Sequence, residues 1–131
     1  MSIDADLKML ATGKNFAALT TLLPDGQPQT QLMWVSADDE HVLINTEPQR
    51  QKFRNVERDP RVTVTVFDAN NAYRYVEARG RVVGTVDGQN ARDDIDALSQ
   101  KYMGAPYGNP IGPNGRVILK IAVDKIHKNG I

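Results

Sequence analysis

Between Pro60 and the Asp68–Ala72 turn the chain reads Arg61-Val62-Thr63-Val64-Thr65-Val66-Phe67. Its strict alternation puts Val62, Val64 and Val66 on one face and Thr63, Thr65 and Phe67 on the other, the period of a β-strand with one side committed to a core. A second long strand follows. From Tyr73 to Val86, Val76, Ala78, Gly80 and Val82 alternate with Tyr75, Glu77, Arg79 and Arg81, and Gly80 and Gly84 predict bends or bulges of the kind that curl a sheet. Two adjacent strands of this length commit the chain to a mainly β fold.

The remaining segments extend the pattern. Ile3, Leu7 and Leu10 fall at helical spacing, with Ser2 or Asp4 as cap and Thr12-Gly13 as stop, and predict a short lid helix. Phe16 to Leu23 and Gln29 to Ser36 flank Pro24-Asp25-Gly26-Gln27-Pro28, a turn whose glycine stands where positive φ is wanted, and read as a β-hairpin. His41 to Asn45 is a third strand. Asn90 can cap a helix that buries Ile95, Leu98 and Tyr102 and ends at Gly104. A loop rich in Pro and Gly, 105–115, leads to a last strand, Arg116 to Ile126, with Val117, Leu119, Ile121 and Val123 inward. The expectation is one domain over residues 1–131, α+β but mainly β: a six-stranded antiparallel split β-barrel with short flanking helices.

The segment from Ile44 to Arg61 carries the chemistry. Thr46 is a candidate N-cap, Pro48 suits a first helical turn, and Thr46-x-x-Gln49 fits a capping box, so a helix is expected to begin near Glu47. Arg50 and Lys52 then stand close to the positive end of that helix, where cations are disfavoured by roughly 0.3–1 kcal/mol each. Free N–H groups, a hydroxyl, a guanidinium fork and an ammonium together match a phosphate; the opposite reading has both cations pointing into water, with Glu47 answering the dipole.

Sixteen basic and sixteen acidic residues leave a formal charge of zero, so no global field for nucleic acid or an anionic membrane exists and any anion site must be local. The absence of cysteine removes thiolate nucleophiles, disulfides and thiol-bound metal. With only His41 and His127 as imidazoles, no metal site is expected, and both histidines read as solvated. No apolar run reaches the roughly 18 residues of a spanning helix, and a cytoplasmic location is expected. Glu77, between arginines of an outward stripe, reads as part of a charged dimer seam rather than a catalytic acid.

In order and spacing, Asp25-Gly26-x-Pro28, Asn45-Thr46, Arg50-x-Lys52-x-x-Asn55, Arg58-Asp59-Pro60-Arg61-Val62 and Tyr73-Arg74-Tyr75-Val76-Glu77-x-Arg79-Gly80 resemble the pyridoxamine-phosphate-oxidase-like split barrels over nearly the whole chain. The Tyr73 strand and the segment Lys101-Tyr102-x-Gly104-x-Pro106-Tyr107 are most similar to the flavin/deazaflavin oxidoreductases of the coenzyme F420-dependent class. That resemblance implies a homodimer with the cofactor in a cleft between subunits. It further implies that Asn45, Thr46, Arg50 and Lys52 form the phosphate region, that Gln31, Leu32, Met33 and Trp34 line the ring, and that Tyr75 reaches the partner's cofactor. The last strand lacks the Arg-x-His substrate-phosphate motif of true pyridoxamine phosphate oxidases, so that activity is not expected.

The function implied is hydride transfer from reduced coenzyme F420 to a small or mid-sized unsaturated acceptor. Two other functions remain open. One is an FMN-dependent reductase or oxidase on the same scaffold; the other is a non-enzymatic binder of flavin, deazaflavin or haem.

Overall fold

The computed structural model describes residues 2–131. In chain order the elements are α1 (Ala5–Thr12), β1 (Phe16–Leu22), β2 (Pro28–Met33), β3 (Ser36–Ala37), β4 (Val42–Thr46), α2 (Gln51–Arg58), β5 (Arg61–Asp68), β6 (Asn71–Val86), α3 (Gly88–Met103) and β7 (Val117–Asn129). All pairings are antiparallel and run in the order β2-β1-β5-β6-β7-β4-β3.

Seven strands form where six were expected, because the predicted Gln29–Ser36 strand divides. Its first part pairs with β1 at one edge of the sheet, and after Trp34 and Val35 its last residues pair with β4 at the other edge. Three residue steps span at most roughly 11 Å, so the two edges must approach each other. The sheet is therefore curled into a split barrel.

The alternations read from the sequence define the barrel interior. Val62, Val64 and Val66 of β5 are buried, and with Val76, Ala78, Leu119, Ile121, Leu19, Val42 and Ile44 they form the main core. Helix α1 closes this core with Leu7 and Leu10, both fully buried, and Asp4 caps it by accepting from the Asp6 and Leu7 N–H groups at 3.0 Å. The hairpin turn has the expected geometry, Gly26 standing at φ 87°.

Strand β6 slips register against β7 at Arg79/Gly80 and at Val82/Gly84, the two bulges that the glycines predict. They are not equivalent. A Cβ at Gly80 would lie 1.9 Å from the Ala122 carbonyl oxygen, whereas one at Gly84 would meet nothing closer than the Lys120 Cδ at 4.0 Å.

Two helix starts differ from expectation. Helix α2 begins at Gln51 rather than near Glu47, since Thr46 stays in the β4 ladder opposite Val117 and is buried there, leaving no capping box to form. Residues 47–50 instead make a turn, with the Arg50 N–H donating to the Glu47 carbonyl at 3.0 Å. Helix α3 starts at Gly88 after Asp87, about one turn ahead of the cap expected at Asn90, because positive φ at Gly88 (67°) lets the chain leave β6 and enter the helix at once. Its end is as expected, with Gly104 left-handed at φ 73°.

The crossing residues Trp34 and Val35 are fastened by the end of α3. Val35 is fully buried, and its backbone has left the ladder. Its N–H donates to the Tyr102 hydroxyl at 3.2 Å, and its carbonyl accepts from Lys101 Nζ at 2.6 Å. Trp34 stacks on the Tyr102 ring at 5.1 Å with an interplanar angle of 3°.

Two outcomes test these assignments. Gly80→Ala should lower unfolding stability by about 2 kcal/mol or more, while Gly84→Ala stays within about 0.5 kcal/mol, in parallel denaturant titrations. Tyr102→Phe should cost about 1–3 kcal/mol by the same measurement, because it strands the buried Val35 N–H.

Candidate functional site

The β4 strand ends at Thr46, and the turn that follows places Glu47, Arg50 and Lys52 beside the start of β7. Because Thr46 pairs with Val117, Arg116 extends the register to lie next to Glu47. Arg116 Nη1 donates to Glu47 Oε1 at 3.2 Å, its Nε donates to Asn45 Oδ1 at 2.8 Å, and its guanidinium lies 5.4 Å from the centre of the Tyr107 ring. Its side chain is only 8% exposed. Arg50 Nη2 reaches the same Glu47 oxygen at 3.3 Å, from a side chain that is 57% exposed.

Lys52 is half-buried and forms no ion pair with any described residue. Its ammonium is pulled below the ordinary lysine value, first by burial and then by repulsion from Arg50 and Arg116, against the opposing pull of Glu47. Burial likewise lowers the Arg116 guanidinium, with Tyr107 and Glu47 opposing. Three cations thus share one carboxylate. They do so at the N-terminal end of α2, where no side chain caps the helix and its first N–H groups have no intrahelical acceptor. Such a place has an unmet demand for negative charge.

Arg116 is also the link to a cleft of about 310 Å³, lined by Met33, Trp34, Asn45, Ile95, Leu98, Tyr107, Asn109 and Arg116. Its walls are apolar apart from Asn45, Asn109, the Tyr107 hydroxyl and the guanidinium, a composition suited to a flat ring with a few polar edges. On the other side of Met33 and Trp34 lies an open apolar groove of about 480 Å³, completed by Phe16, Leu32 and Phe67.

The structure brings together only part of the predicted set. Met33, Trp34 and Asn45 line the cleft, whereas Arg50 and Lys52 do not and lie beside Glu47 and Arg116. Asn45 is a bracket rather than a free donor: while Arg116 uses its oxygen, its amide group donates to the Ala91 carbonyl at 2.9 Å and to Asp94 Oδ2 at 3.0 Å. Thr46 is buried in β4. Gln31 and Leu32 are exposed on the edge strand, Leu32 at 70%, and only Leu32 touches a cavity, the apolar groove. Tyr75 pairs across β6 with Phe67 and Asn129 and lines neither cavity.

Arg116 is the member of this cluster that sequence reasoning missed. Its only signal was a cation between Gly115 and an unbroken apolar run. Its meaning depends on the β4–β7 register, which pattern alone does not supply. Asn55, part of a quoted motif, is structural: fully buried, it donates to Thr21 Oγ1 at 2.9 Å and to Gln29 Oε1 at 3.3 Å, tying α2 to the β1–β2 hairpin.

The same architecture occurs in solved proteins. One described as an F420 reductase is 30% identical to this chain, with a TM-score of 0.75, the match covering 95% of this chain and 98% of that one. A conserved protein from Mycobacterium tuberculosis is 26% identical, with a TM-score of 0.73 and coverages of 96% and 83%. The haem storage protein HutZ from Vibrio cholerae shares the fold at 13% identity, with a TM-score of 0.67 and coverages of 100% and 97%. A family model described as pyridoxamine 5'-phosphate oxidase matches residues 3–130. With the curled sheet, its two β6 bulges and the family match all agreeing, the chain belongs to the pyridoxamine 5'-phosphate oxidase-like split-barrel family.

Proposed function

We propose that this protein is an oxidoreductase that uses reduced coenzyme F420 to transfer hydride to a small or mid-sized unsaturated acceptor. The observation that carries this reading is the cation excess of Arg50, Lys52 and Arg116 at an uncapped helix start, joined through Arg116 to the cleft walled by Met33 and Trp34. A phosphate fits the first and a planar ring the second. The 30% identity to an F420 reductase over nearly all of both chains favours a deazaflavin over other phosphate-bearing rings.

In this reading Arg50 offers a planar fork and Lys52 a point charge to the phosphate, while Met33 and Trp34 set the plane of the ring. When bound, a reduced deazaflavin supplies the hydride and has little of the one-electron reactivity that brings reduced flavins to oxygen. The protein's part is orientation and exclusion of water. The cleft's lining fits that division of labour, its only titratable side chains being Tyr107 and Arg116.

We further propose a homodimer whose second copy covers Leu32 and the Phe16–Phe67 groove and completes the cofactor cleft. Edge strand β2, with an exposed Leu32 beside three aromatic rings, is the surface that supports it. Light scattering at micromolar concentration should give a dimer; a monomer with full cofactor affinity would sink the shared cleft.

The deciding experiment titrates the purified protein with coenzyme F420, FMN and haem in parallel, then follows the reduced coenzyme in air with a panel of enones and quinones. Tight F420 binding with acceptor-dependent oxidation is expected. Tight binding of FMN alone, with rapid oxidation in air, would replace the proposal with a flavin oxidase, and binding of haem alone with a carrier.

Arg50→Ala and Lys52→Ala should each weaken cofactor binding by about 1.5–3 kcal/mol without unfolding the protein. Affinity should also fall as pH rises through the depressed Lys52 value. A bound anion favours the protonated ammonium, so binding takes up a proton in the alkaline range and is weakened once the free protein has lost it. Calorimetry in buffers of different ionisation enthalpy would register that uptake in the wild type and its loss in Lys52→Ala.

A further inference from the structure

The carboxylate of Glu47 stands where an incoming anion would have to go. Its Oε1 accepts from Arg50 at 3.3 Å and from Arg116 at 3.2 Å, and its Oε2 accepts from Gln49 Nε2. Its side chain is 17% exposed. The 105–115 loop lies over it, since a Cβ at Gly112 would come within 3.8 Å of Glu47 Oε2 and 3.7 Å of Gln49 Nε2. In the anion site just described, the chain has thus supplied an anion of its own.

We infer that Glu47 is an internal counter-anion that competes with the ligand's phosphate for Arg50, and so sets which anions the site accepts. The inference rests on the proposed phosphate site.

Its two ion pairs are unequal. The pair with Arg116 is buried and braced, because Asn45 and Tyr107 hold that guanidinium from two other sides. The pair with Arg50 is longer and solvent-facing, at the end of a side chain that is mostly exposed. Exposed pairs of this kind hold weakly, so Arg50 is the partner that changes hands. Arg116 keeps Glu47, and Lys52, which has no carboxylate of its own, joins Arg50 on the ligand.

A consequence for selectivity follows from charge. Three cations less one retained carboxylate leave two positive charges for the ligand. A carboxylate-bearing ligand merely replaces Glu47 at Arg50, one monoanion for another. A phosphate brings more acceptor oxygens than the group it displaces, and can engage the fork, the ammonium and the helix N–H groups together. Freeing Arg50 costs the same for either ligand, so Glu47 sets a threshold that a phosphate, with more bonds to offset it, clears more readily than a lone carboxylate.

The test compares wild type, Glu47→Gln and Glu47→Asp by titration with FMN, riboflavin and acetate, and in separate runs with Arg50→Ala and Lys52→Ala. Glu47→Gln keeps the shape but removes the competing charge. It should bind FMN roughly three- to tenfold more tightly, bind acetate more tightly by a similar factor, and leave riboflavin, which has no phosphate, unchanged. Glu47→Asp withdraws the charge from Arg50 by one methylene and should show a smaller gain in the same order, which keeps the idea testable if the neutral variant folds poorly. Weaker or unchanged FMN binding in both folded variants would overturn the proposal and make Glu47 a strut for the cations. If that result accompanies loss of FMN affinity in Arg50→Ala and Lys52→Ala, the phosphate site stands without its gate. If those two variants also bind FMN like wild type, the phosphate site itself falls, and the gate with it.

Discussion

The passage of Trp34 and Val35 from one edge of the sheet to the other is the constraint on which the rest of the structure depends. A buried backbone that has left its ladder must find other partners or lose a large desolvation free energy. Here the partners come from two consecutive residues at the end of α3. Tyr102 takes the Val35 N–H, and Lys101 serves the Val35 carbonyl together with the last carbonyls of α1, Ala11 at 3.1 Å and Thr12 at 3.5 Å. Burial pulls the Lys101 ammonium down to about 8, which leaves it protonated at neutral pH to make these bonds. One side chain thus joins the lid helix, the barrel closure and α3.

That fastening also builds the cleft. With Tyr102 held against Val35, its ring becomes the shelf on which Trp34 stacks, and Leu98 and Ile95, one and two turns earlier on α3, form the wall facing Trp34. Asn45 then ties the wall to the barrel by bonding to Ala91 and Asp94 of α3 while receiving Arg116. The cationic end of the cleft and its apolar end are therefore coupled through a single amide. A residue that sequence alone suggests as a ligand contact turns out to hold the container together.

Electrostatically, the site is an exception in a chain of zero formal charge. Several cations elsewhere have a carboxylate to themselves, as Arg61 has Asp59, Arg81 has Asp124 and Lys128 has both Asp4 and Asp6. At the start of α2 the balance fails, and it fails where the helix dipole already favours an anion and where partial burial makes every charge count for more. An unbalanced charge in such surroundings costs stability, a cost that ligand binding would offset.

The sequence by itself determined the strands, the bulges and the general region of the site. Period-two alternation in 61–67 and 73–86 can satisfy only one geometry, glycine at 80 answers a backbone approach that admits no Cβ, and Arg50 and Lys52 stand out as cations placed against a helix dipole. These are local facts, decided by residues a few positions apart. The tertiary structure alone decided three others. It divided the second strand at Trp34–Val35, because closing the curled sheet outweighs continuing one ladder; it held Thr46 in β4, because pairing with Val117 forestalls its use as a cap; and it brought Arg116 to Glu47 and Asn45 from about 70 residues away. Each depends on which strands become neighbours, and that is settled by how a whole sheet buries its apolar face, a quantity that no single segment contains.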